Sequence, residues 1–200
     1  MGDGHFERML REVDDFFMGV SWVHLTLRAI ARRLDELGVE FALAGGLAVG
    51  ERGHLRVTVD VDLLVTAEGL ARFKEEWLGR AYVEKFAGSR GVRDAETGVA
   101  IGFLVAGDFP GDGRPKPVRF PDPAALPRGE GPCRVLDLRT LVELRLASGI
   151  SAPDRLQDLA DALSLIRANQ LPASFGDALD PSVQAKFEEL WHGAQEPSDY

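Results

Sequence analysis

The sequence predicts an α+β fold, α/β in the broad sense: a small mixed twisted sheet flanked by helices, with N-terminal helices before it and a C-terminal helical bundle after it. Three observations predict this. Short runs rich in valine, leucine and phenylalanine at 39–44, 57–65 and 99–105 read as strands, with a shorter one at 134–136. The segments around them carry apolar residues three and four positions apart, the helical interval. With 200 residues, 45% of them hydrophobic, the chain is long enough to bury a core of its own.

The elements follow in order. His5 to Met18 places Phe6, Met9, Leu10, Val13, Phe16 and Phe17 on one helical face, and Ser21 caps a second helix that stops at Gly38. A strand over 39–44 ends in Gly45-Gly46, followed by a short helical turn at Leu47–Val49 and a break at Gly50–Gly53. Arg56 to Val65 alternates, so Val57, Val59, Val61, Leu63 and Val65 share one face and Thr58, Asp60, Asp62 and Leu64 the other. Thr66 caps a helix over 67–78, strands are expected near 81–86 and over 99–105, and Arg90 to Thr97 reads as a polar turn. Gly107 to Pro123 is a glycine- and proline-dense loop with a short edge strand near 118–120. After the strand at 134–136, Asp137 caps a helix to Ser148 that Gly149 ends. Pro153 then opens a helix with an inward stripe of Leu156, Leu159, Ala160, Leu163 and Ile166, and Asp180-Pro181 starts the last one. The expected division is 1–38 for the N-terminal helices, 39–136 for the α/β core and 137–200 for the helical region packed on it.

Composition excludes several classes. A net charge of -9 repels polyanions, which argues against general nucleic-acid binding. No apolar run suits a membrane span and the first residues lack a signal-peptide layout, so no membrane partner is expected and the cytoplasm is the default location. The single Cys133 and the scattered His5, His24, His54 and His192 make no zinc pattern.

The chemistry-bearing feature is Asp60 and Asp62. Alternate side chains on one strand face lie about 7 Å apart, where two carboxylates repel each other unless a cation or donors sit between them. Magnesium fits, since it takes oxygen ligands, is held by one or two carboxylates and completes its shell with water and phosphates. Gly45-Gly46 lets the backbone come close to a phosphate, or makes an ordinary strand-to-helix turn. Arg56 and Thr58 lead into the carboxylate strand, where the arginine faces a triphosphate or pairs with an acid. Lys116, with Arg114 and Arg119 in the proline-rich loop, either closes over phosphates or is solvated.

The string ALAGGLAVGERGHLRVTVDVDLLV, residues 42–65, resembles the signature of the nucleotidyltransferase superfamily related to DNA polymerase beta, in the small bacterial branch of minimal nucleotidyltransferases and AbiEii-type toxins. The segment LVELRLASGISAPDRLQDLADAL, residues 141–163, is similar to that branch's helical part. The resemblance implies a sheet of the nucleotidyltransferase type and a nucleoside triphosphate held by Gly45 and Gly46. It implies Mg2+ or Mn2+ on Asp60 and Asp62, and transfer of a nucleoside monophosphate to an acceptor hydroxyl on a protein, an RNA or a small molecule. Arg145 and Asp158 join the carboxylates as catalytic candidates, Arg155 joins Arg56, Thr58 and Lys116 as a nucleotide-binding candidate, and the same helical part nominates Asp161 as facing the active site. The implied partners are the triphosphate, an unidentified acceptor, and an antitoxin or a second copy of the chain. One departure stands out: the family's third carboxylate falls at Gly102, and Asp94, Glu96 and Asp108 are at least six positions away. Two other readings follow, a member that binds nucleotide or a partner without turnover, and an interaction scaffold built on the N-terminal helix.

Overall fold

The computed structural model describes residues 22–127 and 133–196. The expected helix over His5 to Met18 and the Ser21 cap lie outside the described residues. In chain order the elements are α1 (Trp22–Glu36), β1 (Phe41–Leu43), α2 (Gly45–Glu51), β2 (Asp60–Val65), α3 (Ala67–Trp77), β3 (Tyr82–Glu84), β4 (Val92–Asp94), β5 (Ala100–Val105), β6 (Arg134–Val135), α4 (Leu138–Ser151), α5 (Leu156–Ala168) and α6 (Pro181–Gln195). Two 3-10 turns, Pro123–Ala125 and Ala173–Ala178, complete the set.

The six strands form one sheet in the order β3-β4-β5-β2-β1-β6. β2 runs antiparallel to β1 and parallel to β5, and β6 lies parallel to β1, so the sheet is mixed as expected. Phe73 of α3 packs on Phe103 of β5, with ring centroids 5.3 Å apart. Phe103 pairs with Leu63, so α3 covers the face carrying Val61, Leu63 and Val65. The carboxylates point to the opposite face, toward α4 and α5. Among the described residues no helix is long and apolar enough to cross a membrane.

Local chemistry sets the boundaries. Thr66 caps α3 by accepting from the Gly69 N–H at 3.0 Å, and the Asp180 carboxylate accepts from the Ser182 N–H at 2.9 Å ahead of Pro181. Asp137 accepts from both the backbone N–H and the hydroxyl of Thr140, at 2.9 and 2.7 Å. Asp137→Ala is expected to cost about 1 kcal/mol of folding stability, read as a lower urea midpoint with unchanged slope.

Several expectations are corrected. The strand does not begin at Arg56: its partners start only at Asp60, paired with Ala100, so residues 56–59 form an extended lead, and Val57 and Val59 are 48% and 63% exposed. The polar turn at 90–97 contains β4, whose pairing with β3 and β5 overrides its polarity. No strand forms at 118–120, although Phe120 exchanges backbone hydrogen bonds with Gly107 and Asp108. Gly149 does not end α4, which runs through Ser151. A Cβ at Gly149 would lie 2.4 Å from Leu159 Cγ, so the glycine permits the close approach of α5. Pro153 sits in the turn between these helices and α5 starts at Leu156. The inward stripe is rotated as well: Leu156 is 69% exposed and Ala160 is exposed, while the buried face is Asp158, Asp161, Ala162, Leu165 and Ile166.

Candidate active site

The cleft over the carboxylate face is built from three pieces of chain: the β1–α2 bend, the strand β2 with its lead, and the facing surfaces of α4 and α5. A cavity of about 340 Å3 is lined by Gly46, Arg56, Thr58, Asp60, Arg145 and Arg155, with Asp62 and Asp158 also on its wall. A smaller one of about 180 Å3 adjoins it and shares Asp60, Asp62, Arg145, Arg155 and Asp158. Thus the candidates line one cavity or the other except Asp161, which is fully buried behind the wall, and Lys116. Lys116 donates to the Pro110 carbonyl at 2.6 Å and to Ser151 Oγ at 2.9 Å, and it also pairs with Asp112. That ammonium fastens its own loop to the end of α4.

Asp60 and Asp62 share one face of β2. Thr58 Oγ1 donates to Asp60 Oδ1 at 3.0 Å, which orients that carboxylate. Asp62 is seated by glycine. Gly45 has φ +60°, a conformation only glycine adopts readily, and a Cβ there would lie 2.1 Å from Asp62 Oδ2. A Cβ at Gly102, directly opposite on β5, would lie 2.3 Å from Asp62 Oδ1. Gly46 makes room for the lead in the same way, since its Cβ would be 2.8 Å from Thr58 Oγ1.

Desolvation, with the charge of Asp60 beside it, pushes the Asp62 carboxyl up to about 6 against the opposing pull of Arg145, Arg155 and Lys85. Among the described residues no hydrogen bond to its side chain contributes. The folded form therefore binds protons more tightly than an unfolded carboxyl of ordinary value 3.8, and folding loses stability as pH rises through the window from 3.8 to about 6. Above it the deprotonated carboxylate costs on the order of 3 kcal/mol. Asp62→Asn, nearly isosteric and neutral, is expected to stabilise the chelated protein by about 1–3 kcal/mol at pH 8 and by little at pH 4. Urea melts in EDTA at the two values check this.

Beside the carboxylates lies a charge network. Arg145 donates through Nη1 to Asp158 and has Nη2 3.5 Å from Asp161 Oδ2, while its Nε and Nη2 are buried without hydrogen-bond partners among the described residues. Asp158 also accepts from Ser148 Oγ at 2.5 Å and lies 3.3 Å from Arg155 Nε. Arg56 reaches from the β2 lead to Asp161 on α5, donating through Nε at 2.9 Å and Nη2 at 3.2 Å. Of the two roles open to Arg56, pairing with an acid is the one the structure displays. Sequence reading missed Ser148, and also Asp154 and Gln157 on the cavity wall; the i, i+3 spacing of Asp158 and Asp161, on one helix face, was the available signal for the network.

Whether these residues suit a divalent cation follows from the donor set. Two hard oxygen donors on one face fit Mg2+ or Mn2+, and the glycine cradle holds one of them half-buried, its charge offset by Arg145, Arg155 and Lys85. Among the described residues no three His, Cys, Asp or Glu side chains gather as a metal site. Asp94 accepts from the backbone N–H groups of Glu96 and Thr97, and Asp108 pairs with Arg90, so neither replaces an acid at Gly102.

No protein-family model matches the chain, and no curated protein matches it. Among solved structures, the chain is similar to the solution structure of the antibiotic-resistance factor ANT(2'')-Ia, with TM-score 0.49 and 16% identity over 84% of this chain and 97% of that one. The crystal structure of ANT(2'')-Ia in complex with adenylyl-2''-tobramycin is similar with TM-score 0.45 and 16% identity, over 85% and 97% of the two chains.

Proposed function

We propose that this cleft binds a nucleoside triphosphate with Mg2+, or Mn2+, on Asp60 and Asp62, and transfers its nucleoside monophosphate to an acceptor hydroxyl. The observation that carries the proposal is Asp62, a half-buried carboxylate wedged between two glycines beside a second acid, with no hydrogen bond to its side chain among the described residues. When bound, the divalent ion neutralises charge on the reacting phosphate and its entering and leaving oxygens. The bond from the acceptor oxygen to the α-phosphorus forms, the bond from that phosphorus to the pyrophosphate oxygen breaks, and the hydroxyl proton is lost to a base or to water.

The chain's own residues position and balance charge. Thr58 fixes the orientation of Asp60, and Gly46 leaves the wall of the larger cavity bare enough for phosphate to approach. Arg155, with its side chain 51% exposed, is the arginine best placed to meet phosphate oxygens. Arg145, held by Asp158, sets the positive field beside Asp62. Arg56 shapes the entrance while tied to Asp161. Lys116 is left out of this scheme because its ammonium is engaged elsewhere.

A specific observation favours a second reading, nucleotide binding without turnover: no acid stands at Gly102 to help activate the acceptor hydroxyl. One assay separates them. Each nucleoside triphosphate, labelled at the α-phosphate, is incubated with Mg2+ and candidate protein, RNA and small-molecule acceptors. Labelled acceptor with released pyrophosphate supports transfer. Bound label without pyrophosphate supports the second reading, and neither binding nor transfer contradicts both. The toxin role implied by the sequence resemblance is part of the first proposal: expression would arrest growth, and Asp60→Ala would relieve the arrest.

A further inference from the structure

Gly102 and Asp62 are paired residues of adjacent parallel strands, so their side-chain positions share one face of the sheet. Asp62 uses both positions. Its Oδ1 lies where a Cβ at 102 would come within 2.3 Å, and its Oδ2 where a Cβ at 45 would come within 2.1 Å. Ordinary carbon–oxygen contacts need more than 3 Å, so Asp62 as seated and a side chain at 102 exclude each other. Gly45 closes the other flank with backbone already in the left-handed region. The space in which a further acid would stand is filled by the acid that is present.

We infer that Gly102 is a positioning residue whose missing side chain seats Asp62, and that the site consequently binds one divalent cation through protein carboxylates. The inference rests on the reading of Asp60 and Asp62 as cation ligands. It turns Gly102 from a gap in the carboxylate set into the reason that Asp62 lies against the β1–α2 bend.

The first test is a stability cycle on chelated full-length protein: wild type, Gly102→Ala, Asp62→Ala and the double variant, each unfolded by heat and by urea. Gly102→Ala is expected to lower the midpoint in the wild-type background and to change it little once Asp62 is alanine. An equal loss in both backgrounds overturns the inference. Should Gly102→Ala alone not fold, the double variant is expected to fold, and its failure to do so also overturns the inference. The second test titrates the same proteins with Mn2+ alone, without nucleotide, followed by electron paramagnetic resonance. Wild type is expected to bind one ion per chain and Gly102→Ala to bind it about 10–100-fold more weakly while retaining its far-ultraviolet spectrum. Two ions per wild-type chain, or unchanged affinity in Gly102→Ala, overturns the inference and leaves nucleotidyl transfer standing. No saturable ion in wild type removes the cation reading itself, whereas an intact ion site without transfer of label overturns the transfer reading alone.

Discussion

Replacing Asp161 by alanine is expected to cost about 3–5 kcal/mol of folding stability, the loss that follows when one member of a buried ion pair is removed. The Asp161 side chain is fully buried and accepts two hydrogen bonds from Arg56 and one from Gln157, at 2.9 Å, with Arg145 Nη2 a further 3.5 Å away. Without it, Arg145, only 14% exposed, keeps Asp158 as its single close counter-charge, and Arg56 loses the tie that fastens the β2 lead to α5. Urea unfolding measures the cost. Asp161→Asn preserves size and one acceptor oxygen and is expected to lose less. A change below about 0.5 kcal/mol for the alanine variant would show that the pair contributes nothing to holding the helices on the sheet.

Asp62→Ala is expected to reduce nucleotidyl transfer at least about 1,000-fold, and Asp60→Ala to act in the same direction. Charge stabilisation by a bound divalent ion is worth several kcal/mol, and about 1.4 kcal/mol corresponds to a factor of ten. The same change relieves the chelated protein of a partly desolvated carboxylate, so activity and metal-free stability should move oppositely at position 62. Labelled-triphosphate assays with thermal melts of the same preparations read both. Activity lost together with stability would indicate that Asp62 holds the fold rather than a cation.

The sequence made the sheet and the carboxylate pair legible through local rules. Alternation places Asp60 and Asp62 on one face, and the same parity puts both in the cleft. The bend at Gly45 was visible for its glycines, but its steric reason was not, because the group it makes room for is Asp62, seventeen positions later. Gly102 illustrates the same blindness: only the β2–β5 register shows that its face is occupied. The outward valines, Val57 and Val59, misled because alternation reports burial only where neighbouring strands exist, and none pairs before Asp60. On α5 the apolar periodicity pointed to Leu156 and Ala160, whereas Asp158 and Asp161 go inward to meet arginines supplied by α4 and by the β2 lead, the latter 105 positions away. A hydropathy pattern scores both aspartates as solvent-facing and has no means of seeing their partners. Gly149 and Pro153 carried real signals, but their meaning depended on how closely α4 and α5 approach.

Cation-dependent nucleotide binding by the carboxylate cleft is measured most directly by calorimetric titration of wild type and Asp60→Ala with a nonhydrolysable nucleoside triphosphate, with and without Mg2+. One equivalent bound by wild type only when Mg2+ is present, and lost in the variant, is the predicted result. Binding that ignores both the ion and the substitution, or no binding by wild type at all, would contradict it.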